Sequence, residues 1–527
     1  MIIKTKKVIA GVLTLIALLI LFCVLFSGNY VNGNATFNNH FEAYSFIKYS
    51  GLAFILVGIS AMTIKLSFRH EKIIKLLLWM LIIFMAIIAL IIQPYAPVYD
   101  SMNVNEQVFE LVQNYPNPHW STYFSVFPNN VPITIFLFWI DFLFKYFLKS
   151  MNDLLLLNAI VGQVLMLLSL HSLSKIAEKI YGYNARNVLL VFCLFTPTYL
   201  MQFTQIGYSD TFSLPFLIIG IKYLINVFYN SNEDSPKITD IKSINWGLCK
   251  NIFCSGLYLS IALFLRPNVI VALLGVFVVL GTFFWKQWRR IAFLCVVVLF
   301  FSFGAQRVSE FTQEKTNYYQ LSINQDNQMP TESWLLTAYY LGGRSGNEIN
   351  QITDKYVSFS QRKAYIQKEL FKKIKALGVL GIIMTWRDKA NILFGIKSDF
   401  GMQYFSSFRN ASDKKRQNWY EATYRFLTPK MIHITMTATL TSLFSFILIP
   451  FLLHKNRRQT TLFSSTSFQK KTILLLILSI FDSLSLFYIL LWEVQEHYIY
   501  MMLPFLLLLG AVTWTLILEN FIKRQRK

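Results

Sequence analysis

The chain has 527 residues, 55% of them hydrophobic and 14% charged, and its mean hydropathy is +0.46. Soluble domains carry about 25% charged residues, so the composition excludes an ordinary soluble fold and predicts an all-α polytopic membrane protein. The 49 Lys and Arg against 27 Asp and Glu leave a net charge of +22; in a chain built of apolar runs this excess holds loops against anionic lipid head groups, and nucleic acid is not an expected partner.

Apolar length places the spans, and Lys/Arg content places the loops. Lys4, Lys6 and Lys7 put the N-terminus in the cytoplasm. The run 8–27 resembles a signal peptide, yet it nears the ~20 residues a span needs and no small-residue cleavage site follows. It is read as an uncleaved first helix. A second helix over 47–67 returns to a basic turn with Lys65, Arg69, Lys72 and Lys75, and a third over 76–93 exits. The polar, proline-punctuated stretch 93–132 then lies outside, and a fourth span over 131–148 leads back toward Lys145 and Lys149.

The positive-inside pattern conflicts with itself at the next run. Residues 154–170 are long enough to cross, yet Lys175, Lys179 and Arg186 beyond them also favour the inside. Either the run is a re-entrant or tilted pair, or the rule fails once here. With 186–203 exiting, Asp210 sits at the outer surface. It shares a face with Asp100 only if the number of crossings between them is even.

Further spans are expected over 212–229, 250–265, 269–285 and 291–306. In the polar region 307–430, KALGVLGIIMTW is too short to cross. It follows Ile366, Leu370 and Ile374 at four-residue spacing, which predicts an interfacial helix pair on the outer leaflet. Spans over 431–453, 472–490 and 501–520 complete about twelve or thirteen, with the C-terminus in the cytoplasm of a multi-pass cell-membrane protein. The expected division is a transmembrane module over 1–306, an extracytoplasmic, partly interfacial helical region over 307–430, and C-terminal transmembrane helices over 431–527. Cys23, Cys193, Cys249, Cys254 and Cys295 have no metal-ligand spacing and are expected as small core residues.

The outer features are the candidates for chemistry. Asp100, at the outer end of a helix, is placed to act as a general base that draws a proton from an acceptor hydroxyl while a phosphate leaves a sugar carbon. Burial beside Tyr95 and Tyr99 would raise its pKa; an ordinary solvated loop acid is the alternative. Asp210, just before an apolar run, serves as well for a helix cap as for catalysis. Asp100 and Asp210 together are candidate ligands of a divalent cation, Mg or Mn, which often uses only one or two protein carboxylates. Arg266, between an apolar run and Pro267, offers a fork matched to phosphate, or it snorkels. The GGRSG turn with Arg344 brings backbone N–H groups near an anion, a weak signal alone. Glu493, His497 and Tyr498 lie between the last two spans, where the aromatic residues form either an interfacial belt or a sugar platform. Asp141 and Asp482 are expected in helix packing.

Taken in order, P-V-Y-D ending at Asp100, F-P-N-N over 127–130, Y-S-D ending at Asp210, R-P-N from Arg266 and W-E-V-Q-E-H-Y from Trp492 resemble the GT-C membrane glycosyltransferases. These include the protein mannosyltransferases, the lipid-A aminoarabinose transferases and the integral-membrane enzymes of Gram-positive bacteria associated with exosortase-like systems. The resemblance implies a GT-C-like bundle and a polyprenyl-phosphate-linked sugar donor, with a lipid or cell-wall glycan acceptor on the outer face. It further implies inverting transfer with Asp100 as base, Asp210 orienting the acceptor or a metal, and Arg266 or Arg344 meeting the donor phosphate. Asn129, Asn130, Glu493, His497 and Tyr498 join the expected substrate-binding set. The sequence departs from the family pattern in having two spans before the one that leads to Asp100, Ser101 where protein mannosyltransferases carry a second acid, and no large soluble outer domain. The other readings are a transporter or flippase of envelope lipids or glycans, which calls for paired charges within the spans, and a non-catalytic partner of an envelope-polymer pathway.

Overall fold

A computed structural model describes residues 2–25, 43–92, 100–202, 207–228, 246–319, 327–340, 358–395, 398, 400, 414–449 and 468–525. Every regular element among them is helical. Eight helices are long and apolar enough to cross a membrane: Thr5–Leu25, Lys48–Ile91, Met151–Leu194, Ser209–Phe228, Trp246–Leu265, Trp285–Lys315, Lys470–Leu491 and Leu503–Gln525. The shorter apolar helix Val269–Phe283 accompanies them.

Two of the eight are double length. Lys48–Ile91 and Met151–Leu194 each run 44 residues, about 66 Å at 1.5 Å per residue, against a hydrocarbon core of about 30 Å. Each is broken inside, one at His70 (φ −135°, ψ 46°) and the other at Tyr181 and Gly182. Gly182 takes φ 81° and ψ −174°, a conformation open in practice only to glycine. By length Lys48–Ile91 supplies two crossings; Met151–Leu194 supplies one before its break, and residues 183–194 make a second only with the run that continues through the π-turn Thr198–Gln202. The breaks adjoin one another: Arg186 bridges Glu71 and Glu178, Asn187 Nδ2 donates to Ser67 Oγ at 2.9 Å, and Trp79 packs 6.1 Å from His171.

The fourth expected span, 131–148, is corrected. Its helix, Val131–Leu143, has 13 residues, about 20 Å, too short to cross. Both its ends stay with the helix Asp100–Asn114 and its neighbours. At the start, Asn130 Oδ1 accepts from Tyr208. Toward the end, Trp139 Nε1 donates to Thr312 Oγ1, and Leu148 O accepts from Gln113 Nε2. Leu143, Phe144, Tyr146 and Phe147 are exposed beside Lys145 and Lys149, as in a segment lying in a membrane interface. Lys145 and Lys149 then lie at the Asp100 end, so with Asp100 outside the positive-inside rule fails once there, the second of the two readings that the sequence leaves open. Two crossings, 151–180 and 183–202, separate Asp100 from Asp210. The count is even.

The expected interfacial helix pair corresponds to Phe359–Phe394, broken at Gly378 (φ 59°). Its first half packs Ile366 with Met329 and Leu336 in a small cluster apart from the main core. Its second half exposes Val379 and Leu380 and buries Lys389 through Phe394, with Phe394 against Phe481 at 5.6 Å. The 307–430 region thus feeds its last turns into the bundle. Of the span expected over 431–453, residues 431–447 fall on Lys414–Phe444 and its continuation Ser445–Ile447, and 450–453 lie outside the described residues.

Candidate functional site

The residues of interest meet at the end of the bundle opposite the Arg186 cluster. Asp100 stands in the first turn of Asp100–Asn114, where the helix N-terminus favours an anion. Tyr208 Oη donates to Asp100 Oδ2 at 3.4 Å and lies 3.0 Å from Asn130 Oδ1. Asn130 Nδ2 donates in turn to Tyr123 Oη. Burial raises the Asp100 pKa, and the Tyr123 and Tyr208 hydroxyls hold it back. The F-P-N-N and Y-S-D segments therefore touch through Asn130 and Tyr208. Asn129, exposed, only donates to Asn130 at 3.3 Å.

A polar staple fixes this geometry. Asn105 Nδ2 donates to Gly207 O at 2.9 Å, and a Cβ at residue 207 would stand 2.7 Å from Asn105 Oδ1 and would have to displace that amide. Asn158 Nδ2 reaches both Asn105 Oδ1 (3.1 Å) and Asp141 Oδ2 (3.3 Å). Asp141 is buried, and its pKa is pushed up to about 8 by that burial against the Asn158 hydrogen bond. It is a packing residue that carries its proton at neutral pH.

Arg266 follows the last turn of Trp246–Leu265, and Pro267 stops the helix there. The side chain turns inward and is buried. It pairs with Asp210, donates from Nη2 to Tyr488 Oη at 3.1 Å and lies 5.5 Å over the Tyr498 ring. Its Nε has no hydrogen-bond partner among the described residues. Arg266 does not snorkel, and the Asp210 carboxylate answers a guanidinium across two helices.

The W-E-V-Q-E-H-Y segment starts where a π-turn, Phe487–Leu491, ends the preceding span; such turns recur at functional sites. Glu493 Oε1 accepts from Tyr498 Oη at 2.6 Å. Burial raises the Glu493 pKa; the Tyr498 hydrogen bond opposes this, the Asp100 charge adds to it, and Arg266 and Lys389 oppose it. His497 is buried, and burial together with Arg266 pushes its pKa down to about 3, leaving a neutral imidazole. The tyrosines face the site, with Tyr488 and Tyr498 at 4.9 Å, while Trp492 stacks on Phe487 at 5.2 Å.

Lys389 is the residue that sequence reasoning missed. It is fully buried, its Nζ lies 5.8 Å from the Tyr339 ring centroid, and that Nζ has no hydrogen-bond partner among the described residues. Burial lowers its pKa to about 7, with Glu493 opposing. In sequence it is one of many lysines on an amphipathic helix; the only signal is the apolar A-N-I-L-F that follows it. Arg344 with its GGRSG turn, Tyr95 and Tyr99 lie outside the described residues.

Arg266 neutralises Asp210, so that acid is a poor cation ligand. Among the described residues no three His, Cys, Asp or Glu side chains gather in a metal-holding group. The carboxylates that repel each other are Asp100 and Glu493. Asp482, deep in Lys470–Leu491, has no hydrogen-bond partner for either oxygen among the described residues.

No protein-family model matches the chain, and no curated protein matches it. Among solved structures it is similar to the crystal structure of the Archaeoglobus fulgidus oligosaccharyltransferase in the apo form, with a TM-score of 0.40 and 10% identity. The match covers 85% of this chain and 51% of that one, so the chain spans about half the length of the archaeal protein. A likeness at that level does not carry an activity, a substrate or a site across.

Proposed function

We propose that the chain is a cell-membrane glycosyltransferase with both termini in the cytoplasm. It moves a sugar from a polyprenyl-phosphate donor to a lipid or cell-wall acceptor on the outer face, with inversion. One observation carries the reading: Asp100, Glu493, Arg266 and Lys389, from four distant segments, converge at one end of an apolar bundle. That set combines a carboxylate of raised pKa, suited to taking a hydroxyl proton, with two cations that retain open N–H groups, suited to a phosphate.

In the proposed step the acceptor oxygen attacks the anomeric carbon from the face opposite the phosphate. Asp100 takes the acceptor proton as the new C–O bond forms. The bond between the anomeric carbon and the phosphate oxygen breaks, and polyprenyl phosphate leaves with the electron pair. Arg266 and Lys389 stabilise the growing negative charge. Asp210 orients Arg266, and Glu493, Tyr498, His497 and Asn130 line the substrate. A Mg or Mn ion, if the enzyme uses one, would take Asp100 and Glu493 as ligands in preference to Asp210, relieving their repulsion and screening the departing phosphate. A transporter or flippase calls for charges paired mid-span; among the described residues Arg186 with Glu71 and Glu178 and Arg266 with Asp210 sit at helix breaks or ends, and Asp482, mid-span, has no hydrogen-bond partner.

The deciding experiment is Asp100→Asn in membranes supplied with polyprenyl-phosphate sugar. Transfer should fall about 10²- to 10⁴-fold while the protein inserts normally. Retained transfer overturns the assignment of the base, and absence of transfer by the unaltered protein with any such donor overturns the activity.

A further inference from the structure

Asp141, which the proposed transfer chemistry does not use, lies at the foot of the polar staple, and the staple is one hydrogen short. Asn105 Nδ2 spends both its hydrogens on backbone carbonyls, Ser101 O at 2.6 Å and Gly207 O at 2.9 Å. Asn158 Nδ2 spends both of its own, on Asn105 Oδ1 at 3.1 Å and on Asp141 Oδ2 at 3.3 Å. All three side chains are buried. Two acceptors, Asp141 Oδ1 and Asn158 Oδ1, are left without a hydrogen-bond partner among the described residues. A single proton on Asp141 answers both, because a carboxylic acid and a primary amide can pair face to face, each donating to the other's carbonyl oxygen.

No charged side chain competes for that place. Burial raises the Asp141 pKa to about 8, opposed only by the Asn158 hydrogen bond. The charged residues of the neighbouring segments are engaged elsewhere: Lys145 lies 5.8 Å over the Phe142 ring, Glu106 is exposed, Asp153 caps its own helix at Ser150, Glu310 pairs with Arg307, and Arg266 pairs with Asp210. The far ends of the staple are the segments that carry the site. Ser101 follows Asp100, and Gly207 precedes Tyr208, whose hydroxyl donates to Asp100.

We propose that Asp141 is a positioning residue for the transfer site: its neutral carboxyl closes a ring with the Asn158 amide, and through Asn158 and Asn105 it holds the turn at Asp100 against Gly207 and Tyr208. The proposal rests on the reading of Asp100 as the base. When Asp141 ionises, the ring has no hydrogen for Asn158 Oδ1. A bare buried carboxylate then draws the amide away from Asn105 or admits water, and the Asp100 turn loses its tie to Tyr208.

The test compares the unaltered full chain with Asp141→Asn in detergent by amide hydrogen exchange, read on peptides covering 100–114 and 207–214 and corrected for the intrinsic pH dependence. An opened staple sheds the proton near the ordinary carboxyl value of about 3.9, whereas the closed one keeps it to about 8. The open state therefore binds fewer protons between those values, and protection should fall as pH rises from 6 to 8, by up to about a hundredfold. Asp141→Asn closes the same ring with an N–H that does not titrate, so this part of the fall should vanish. The difference between the two proteins cancels the contributions of Asp100 and Glu493, whose pKa values burial also raises. Asn158→Leu should lose the protection at every pH. In transfer, kcat at saturating donor should match in the two proteins at pH 6 and decline above pH 8 more steeply in the unaltered one. The proposal is overturned if both proteins lose protection equally between pH 6 and 8, if Asn158→Leu keeps it, or if kcat follows the same alkaline limb with and without Asp141. Exchange is read without substrate, so a chain that transfers no sugar from any polyprenyl-phosphate donor counts against the proposed activity, while the exchange result still decides the role of Asp141.

Discussion

Of the buried arginines, Arg186 and Arg266 stand at opposite ends of the bundle and are answered differently. Arg186 has a partner for every nitrogen: Nε donates to Asn187 Oδ1 at 3.1 Å, Nη1 to Glu178 at 2.7 Å, and Nη2 reaches Glu71. Its neighbours tie down the breaks at His70 and Gly182, which makes it a clamp. Arg266 has one acid, Asp210, one phenol and an unmatched Nε, with Lys389 buried nearby and unmatched at Nζ. A saturated buried cation holds a fold together, whereas one with open donors beside a second cation is prepared for an anion that arrives later.

The largest effects should come from removing either arginine. Removing Arg266 strands the buried Asp210 and should cost about 3–5 kcal/mol of stability, measured as melting in detergent; removing Arg186 leaves Glu71 and Glu178, which are 31% and 29% exposed, and should cost less. Repair should then separate the two ends. Glu71→Gln and Glu178→Gln added to Arg186→Met should restore both melting and sugar transfer. Asp210→Asn added to Arg266→Met should restore melting and leave transfer impaired, with the loss mainly in donor KM. Recovery of transfer in that double variant would reduce Arg266 to a second clamp and erase the comparison.

Much of the fold was legible because composition and apolar length report membrane helices directly. Asp100, Asn130, Asp210, Arg266 and Glu493 were legible as residues because each interrupts or ends an apolar run. Their pairing was not, since Arg266 and Asp210 meet only through the packing of two helices. Val131–Leu143 misled the span assignment because a partly buried helix in an interface is as apolar as one that crosses; only where it ends tells them apart. Arg186 read as an ordinary basic flank, because its acids lie 8 and 115 residues away. Lys389 was hidden among surface lysines of the same helix, and burial, which sequence does not print, is what distinguishes it.

Lys389 sharpens the comparison through pH. Its pKa of about 7 in the folded protein lies below the ordinary lysine value of about 10.4. Between those values the unfolded chain binds more protons, so stability should rise as pH increases from about 7 toward 10, with the full penalty below 7. Lys389→Met should flatten that slope and raise the melting point at pH 6. Donor binding should move the other way: the variant should lose roughly ten- to a hundredfold in donor KM at pH 6, the worth of a charged hydrogen bond, and the gap should narrow above pH 8, where the native lysine is neutral. A gap that is the same at both pH values would mean that Lys389 shapes the site without lending it charge.

The smallest effect tests how the open end controls its base. The Tyr208 hydroxyl donates to Asp100 at 3.4 Å, a long bond, and with Tyr123 it restrains the rise in pKa that burial causes. Tyr208→Phe should raise the Asp100 pKa further. Because the base must be ionised to accept a proton, the acid limb of the kcat/KM profile should shift to higher pH, with transfer reduced on that limb and recovered as pH rises above it. Tyr123→Phe should shift the limb in the same direction. If Tyr208→Phe leaves the limb in place and lowers transfer equally at every pH, the hydroxyl serves through its 3.0 Å contact with Asn130, holding the two outer segments together without setting the charge on Asp100.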